Sequence, residues 1–122
     1  MKTIADVLVA LVALEHLWFL VLEMFLWTKP IGLRTFSHTL EEAIRMGPLA
    51  ANQGLYNGFL AAGLVWGLLA GPPEFAFAIK VFFLSCVVVA GLFGGFSVSI
   101  RILVVQALPA AVALALLVIG RR

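Results

Sequence analysis

The chain has 122 residues, 64% of them hydrophobic and 11% charged, with a formal net charge of +2 and a mean hydropathy of +1.17. A soluble domain of this size cannot hide so much apolar surface, so the excess must face lipid. The basic residues stand singly, without the basic stripe that tracks a phosphate backbone, so nucleic acid is not an expected partner; the lone cysteine, Cys86, allows no intrachain disulfide or cysteine metal site.

A bilayer core about 30 Å thick takes roughly 20 helical residues to cross. Four segments meet that length, at about residues 3–27, 49–70, 75–96 and 98–119. They predict an all-α fold, a four-helix transmembrane bundle forming one domain over residues 1–122. The first segment could be mistaken for a secretory signal, but it runs on to Trp27, contains Glu15 and His16 and has no small-x-small cleavage site, so it reads as a retained helix. Thr28-Lys29-Pro30-Ile31-Gly32 is expected to stop it. In the long connection that follows, Thr39-Leu40-Glu41-Glu42 fits a capping box that opens a short amphipathic helix over about residues 39–46, closed by Gly47-Pro48. That helix is either a solvated connector or a lid over the helix ends. Gly71-Pro72-Pro73-Glu74 makes a tight hairpin between the second and third spans, and Gly94-Gly95-Phe96-Ser97 is the expected third joint. Pro109 would free the Val105 carbonyl and kink the fourth span beside Gln106.

An even number of crossings puts both termini on one side of the membrane. Lys2, Lys80, Arg121 and Arg122 fall on that side, and Lys29, Arg34, Arg45 and Arg101 on the side of the long loop, a balance that sets no orientation.

A polar side chain in hydrocarbon costs several kcal/mol unless paired, so each one needs an account. On the first span, Glu15, His16 and Glu23 fit one face of about 100°. On the second, Asn52, Gln53, Tyr56 and Asn57 fall within about 140°. Measured at about 1.5 Å per residue, Glu23, Asn52, Gln53 and Arg101 share one depth on the loop side, with Tyr56, Asn57 and Gln106 slightly deeper and Glu15 and His16 near the midplane. The half nearer the termini reads as almost entirely Leu, Val, Ala and Phe. These nine residues predict one polar pocket, with Glu15, His16 and Glu23 as candidate acid–base groups and Asn52, Gln53, Tyr56, Asn57, Arg101 and Gln106 as ligand-binding groups. Glu23 and Arg101 could form an ion pair, and Glu15 could rest protonated or share a proton with His16. Asn, Gln and Tyr equally serve as glue between membrane helices. A metal is not expected, since the other spans add no carboxylate beyond Glu74 at a helix end; no cofactor can be named.

The glycine pairs Gly54/Gly58, Gly63/Gly67 and Gly91/Gly95 allow close helix approach, within the chain or across a homodimer. The strings running from Ala13-Leu14-Glu15-His16 to Glu23-Met24-Phe25-Leu26-Trp27 and from Asn52-Gln53-Gly54 to Tyr56-Asn57-Gly58 resemble a family of small, mostly bacterial four-helix membrane proteins, the domain of unknown function 1304. The resemblance covers nearly the whole chain and implies that fold, a polar core and a bacterial inner membrane, with no activity attached. A looser likeness to emopamil-binding sterol isomerases is a fold-level analogy without residue correspondence. The expected function is binding or transformation of a lipophilic small molecule in the bilayer, with a proton-coupled transporter or relay and a non-enzymatic accessory subunit as alternatives.

Overall fold

The computed structural model describes residues 2–121, so Arg122, assigned above to the side of the termini, lies outside it. Its helices are α1 (Lys2–Met24), α2 (Pro30–Phe36), α3 (Leu40–Leu69), α4 (Pro73–Ser97) and α5 (Ile100–Arg121), with no strand among the described residues. Helices α1, α4 and α5 are each long and apolar enough to cross a membrane. α3 spans 30 residues, but Asn52, Gln53, Tyr56 and Asn57 dilute its apolar character. Large side chains such as Phe82, Phe93 and Phe96 on α4 stand exposed, as expected of surfaces meant for acyl chains rather than water.

The chain divides into two compact units, one holding the chain up to Leu14 and again from Leu60 onward, the other Glu15–Phe59. In the first, Ala5, Val9, Leu64, Leu84, Val87, Ala110, Ala113 and Leu117 make a core of small and branched side chains. Gly91 and Gly95, the latter part of an expected joint, instead lie inside α4. A Cβ on Gly91 would come 2.6 Å from the Ala107 backbone nitrogen, and one on Gly95 2.6 Å from Leu103 Cβ. The break falls later, at Val98 and Ser99, where Ser99 Oγ caps α5 by accepting from the Arg101 N–H at 3.3 Å. Within α5, Leu103–Ala107 forms a π-helical stretch in which the Leu108 N–H donates to the Leu103 carbonyl. Pro109 lies just beyond it, and the widened turn relieves the clash its ring would make with a regular preceding turn.

Sequence placed Lys80 among the charges at the membrane surface and left the half nearer the termini apolar. The structure corrects both. Lys80 is only 6% exposed, its stem lies against Gly67, and its Nζ donates to Asp6 Oδ1 at 2.8 Å. Arg121 pairs with Glu74 at 2.5 Å and stacks over the Phe77 ring at 4.1 Å.

In the second unit, Pro30 opens a helix rather than only ending one. It sits in the first turn of α2, where its missing N–H is not needed. α2 ends with Ser37 in the left-handed conformation (φ 57°), the Ser37 N–H reaching the Arg34 carbonyl and the His38 N–H the Leu33 carbonyl. The capping box is present: the Glu42 N–H donates to Thr39 Oγ1 at 3.2 Å and the Thr39 N–H to Glu42 Oε1 at 2.9 Å. The Thr39 amide holds the Glu42 carboxyl below its usual range. The helix that this box opens does not close at Gly47-Pro48 but continues to Leu69. Its early turns are braced from outside, because the Trp27 indole N–H donates to the Ala43 carbonyl at 2.7 Å, and the Trp27 ring also packs on Phe36 and His38 at 5.0 and 5.4 Å.

Two measurements test this packing. Replacing Asp6 with Leu strands a buried ammonium and should cost about 3–5 kcal/mol in a detergent unfolding titration, whereas Asp6→Leu with Lys80→Met should come within about 1 kcal/mol of the wild type. Gly91→Val should lower the melting temperature strongly because its Cβ meets backbone, while Gly47→Ala, with nothing within 4 Å, should hold or raise it, worth up to about 1 kcal/mol.

Candidate functional site

The second unit holds seven of the nine expected residues. The buried side of α3 here runs through Ala43, Ala50 and Gly54, a spacing that repeats on one helix face. Gly54 lets α1 come close: an added Cβ would meet Met24 Cγ at 2.8 Å and Glu23 Cβ at 3.0 Å, and one on Gly58 would meet Leu20 Cδ1 at 2.6 Å. At this approach Asn57 Nδ2 donates to Glu23 Oε1 at 2.5 Å. Glu23 is 6% exposed, and a hydrogen bond to an amide is what makes such burial tolerable. The donor that reaches Glu23 is thus an amide of the neighbouring helix rather than a guanidinium.

About two turns toward the N-terminus, His16 is fully buried, with its ring edge-on to Phe19 at 5.2 Å. Its Nδ1 lies 3.9 Å from Glu15 Oε1, beyond hydrogen-bond distance. That Glu15 oxygen is buried and accepts no hydrogen bond from any described group, although the side chain as a whole is 23% exposed. An unmet acceptor of this kind costs about 1–3 kcal/mol and calls for an explanation.

The remaining residues are placed differently. Asn52, Gln53 and Tyr56 are exposed on α3, and the Tyr56 ring meets Phe59 edge-on at 5.6 Å. Arg101 and Gln106 belong to the first unit, Arg101 exposed near the start of α5 and Gln106 half-buried in its π-helical stretch. Sequence reasoning missed Asp6 and the burial of Lys80; a lone acid and a lone base on apolar spans were the available signal. No group of three or more His, Cys, Asp or Glu side chains gathers in metal-binding geometry among the described residues.

The second unit thus holds a buried carboxyl tied to an amide, with a second carboxyl and an imidazole farther along the same apolar helix. The chain matches the family described as protein of unknown function (DUF1304) over residues 10–118. It belongs to that family. The match takes in all nine candidate residues, from Glu15 to Gln106, and both members of the Glu23–Asn57 bond. No curated protein and no solved structure matches the chain.

The Glu23–Asn57 bond gives a direct test. Asn57→Leu should destabilise the DUF1304 protein by about 1–3 kcal/mol in detergent, because the buried Glu23 carboxyl loses its donor. Asn57→Leu with Glu23→Leu should recover most of that loss. Equal loss in the single and double variants would mean that packing, not the hydrogen bond, sets the cost.

Proposed function

We propose that this protein crosses the membrane four times and binds a lipophilic small molecule beside α1. Glu15 receives a hydrogen-bond donor of that molecule, and Glu15, His16 and Glu23 provide the acid–base groups for any transformation of it. The observation that carries the reading is the buried Glu15 oxygen without a hydrogen-bond partner. Glu23 is satisfied by Asn57, so the unmet acceptor lies at the other carboxyl, and a donor on a bound molecule would offset its cost.

The fourth crossing is α3. Its stretch after Pro48 has the length of a span, and its polar side chains, rather than its length, set it apart from the other three. Four crossings put both termini on one side, and the first unit supports this: Asp6, early in α1, pairs with Lys80, and Arg121, at the end of α5, pairs with Glu74, both partners lying toward the start of α4. A bacterial inner membrane is the location that suits the family resemblance. A proton relay has less support, because Phe19 and Leu20 lie between His16 and Glu23 along α1 and offer no proton-carrying group. A purely structural accessory subunit leaves the Glu15 oxygen as a cost without return.

The test is extraction of the purified protein with organic solvent followed by mass spectrometry. The wild type should release a lipophilic compound in near-stoichiometric amount, reduced in Glu15→Gln and lost in Glu15→Leu. The empty Glu15→Leu protein should be about 1–3 kcal/mol more stable than the empty wild type, since an unmet buried acceptor is removed. A compound retained in full by Glu15→Leu, or a wild type that carries nothing beyond bulk phospholipid, defeats the reading.

A further inference from the structure

Leu49, Asn52, Tyr56 and Phe59 are all exposed on α3, and they follow one another at the alternating three- and four-residue steps of a helix-pairing seam. Gln53 flanks that seam. Tyr56 is 57% exposed, and among the described residues the Asn52 and Gln53 amides have no hydrogen-bond partner within the chain. If this part of α3 lies in the bilayer, as the four-crossing reading on which this inference rests requires, acyl chains cannot satisfy these groups. The glycine faces that first suggested a homodimer are occupied within the chain: Gly54 and Gly58 by Met24, Glu23 and Leu20, Gly63 by Phe83, Gly67 by Lys80, and Gly91 and Gly95 by Ala107 and Leu103.

We propose that α3 pairs with α3 of a second copy of this chain along Leu49, Asn52, Tyr56 and Phe59, with the Asn52 amides hydrogen-bonded to each other across a two-fold axis. A carboxamide is both donor and acceptor, so the same side chain on two symmetry-related helices is its own complement. An unrelated partner would have to bring amides or hydroxyls to the same heights, whereas a second copy carries them at those heights already. An Asn at one position of a helix-pairing seam is also the device that fixes register and the number of helices joined. Leu49 and Phe59 close the seam at its two ends with apolar contact. Unlike the Gly54/Gly58 face, this one leaves the Glu23–Asn57 contact untouched.

The experiment uses the full chain with Cys86→Ala, reconstituted at low protein-to-lipid ratio in phosphatidylcholine–phosphatidylglycerol vesicles. Single cysteines at Asn52, at Tyr56 and, as a control on exposed α4, at Phe93 are oxidised to form disulfides. Cross-linked dimer should form at Asn52 and Tyr56 at least tenfold more readily than at Phe93. By energy transfer between labelled copies, Asn52→Leu should weaken pairing about fivefold, the worth of roughly one interhelical hydrogen bond. A membrane-impermeant maleimide separates the two ways of failing. Labelling of the Asn52 cysteine from water would show this stretch outside the hydrocarbon, overturning the fourth crossing and the pairing with it. Protection from the maleimide, with a wild type monomeric at every dilution or cross-linking best at Phe93, would overturn the pairing and leave the crossing standing.

Discussion

The close approach of α1 and α3 at Gly54 and Gly58 is the contact on which the polar site depends. Without a Cβ at either position, Leu20 and the stems of Glu23 and Met24 lie against the α3 backbone. That closeness brings the Asn57 amide onto the Glu23 carboxyl. A side chain at Gly54 would hold the helices apart, and the carboxyl would be buried without a donor. Small residues, usually explained by packing alone, here also decide whether an acidic group can be kept inside the protein.

Glu15 and Glu23 have opposite circumstances although the same helix carries both. Glu23 lies where the neighbouring helix is nearest and is served by it. Glu15 lies beside a buried imidazole too distant to bond, and one of its oxygens is shut away from any donor. If burial were serving stability alone, the second arrangement would have no reason to persist, since an apolar residue of similar volume would remove the cost. An acceptor kept unmet inside a protein is a recognised mark of a site that something else completes. The contrast sets Glu23, whose acceptor the protein itself satisfies, apart from Glu15, whose buried oxygen it leaves unmet.

The sequence was most legible where the determining interaction is local. The Thr39–Glu42 capping box can be read directly, because both of its hydrogen bonds close within four residues. The hairpin at Gly71-Pro72-Pro73 and the three apolar helices are equally plain. Gly91, Gly94 and Gly95 are ambiguous in sequence, since a glycine that ends a helix and one that admits a neighbour look alike; the Ala107, Ile102 and Leu103 atoms facing them resolve the matter. Lys80 was misplaced because a long side chain near a helix end can reach the surface as easily as a partner, and its partner, Asp6, is far away along the chain. Among the polar residues of α3, an arc of about 140° was too wide to share one face: Asn57 turns to α1, while Asn52, Gln53 and Tyr56 turn outward.

The prolines show how the apolar setting alters a rule taken from soluble proteins. Ending a helix releases four carbonyls, which in water are solvated at little cost. In hydrocarbon each would remain unmet at several kcal/mol. Continuing through a proline costs about 3 kcal/mol, chiefly one lost bond and a ring clash. Inside a span, as at Pro109, the balance therefore favours continuation, and the chain adds local relief. At Pro109 the preceding π-helical stretch widens the turn. At Pro48, ahead of the span-length stretch of α3, the helix also runs through, and there the turns before it are held from outside by the Trp27 indole bonded to the Ala43 carbonyl. Pro30, outside the long helices, has no such penalty to avoid and simply starts α2. Reading Gly47-Pro48 as a stop counted the proline alone and left out the bracing of the preceding turns by Trp27, and that omission is what turned one long helix into a short helix followed by a span.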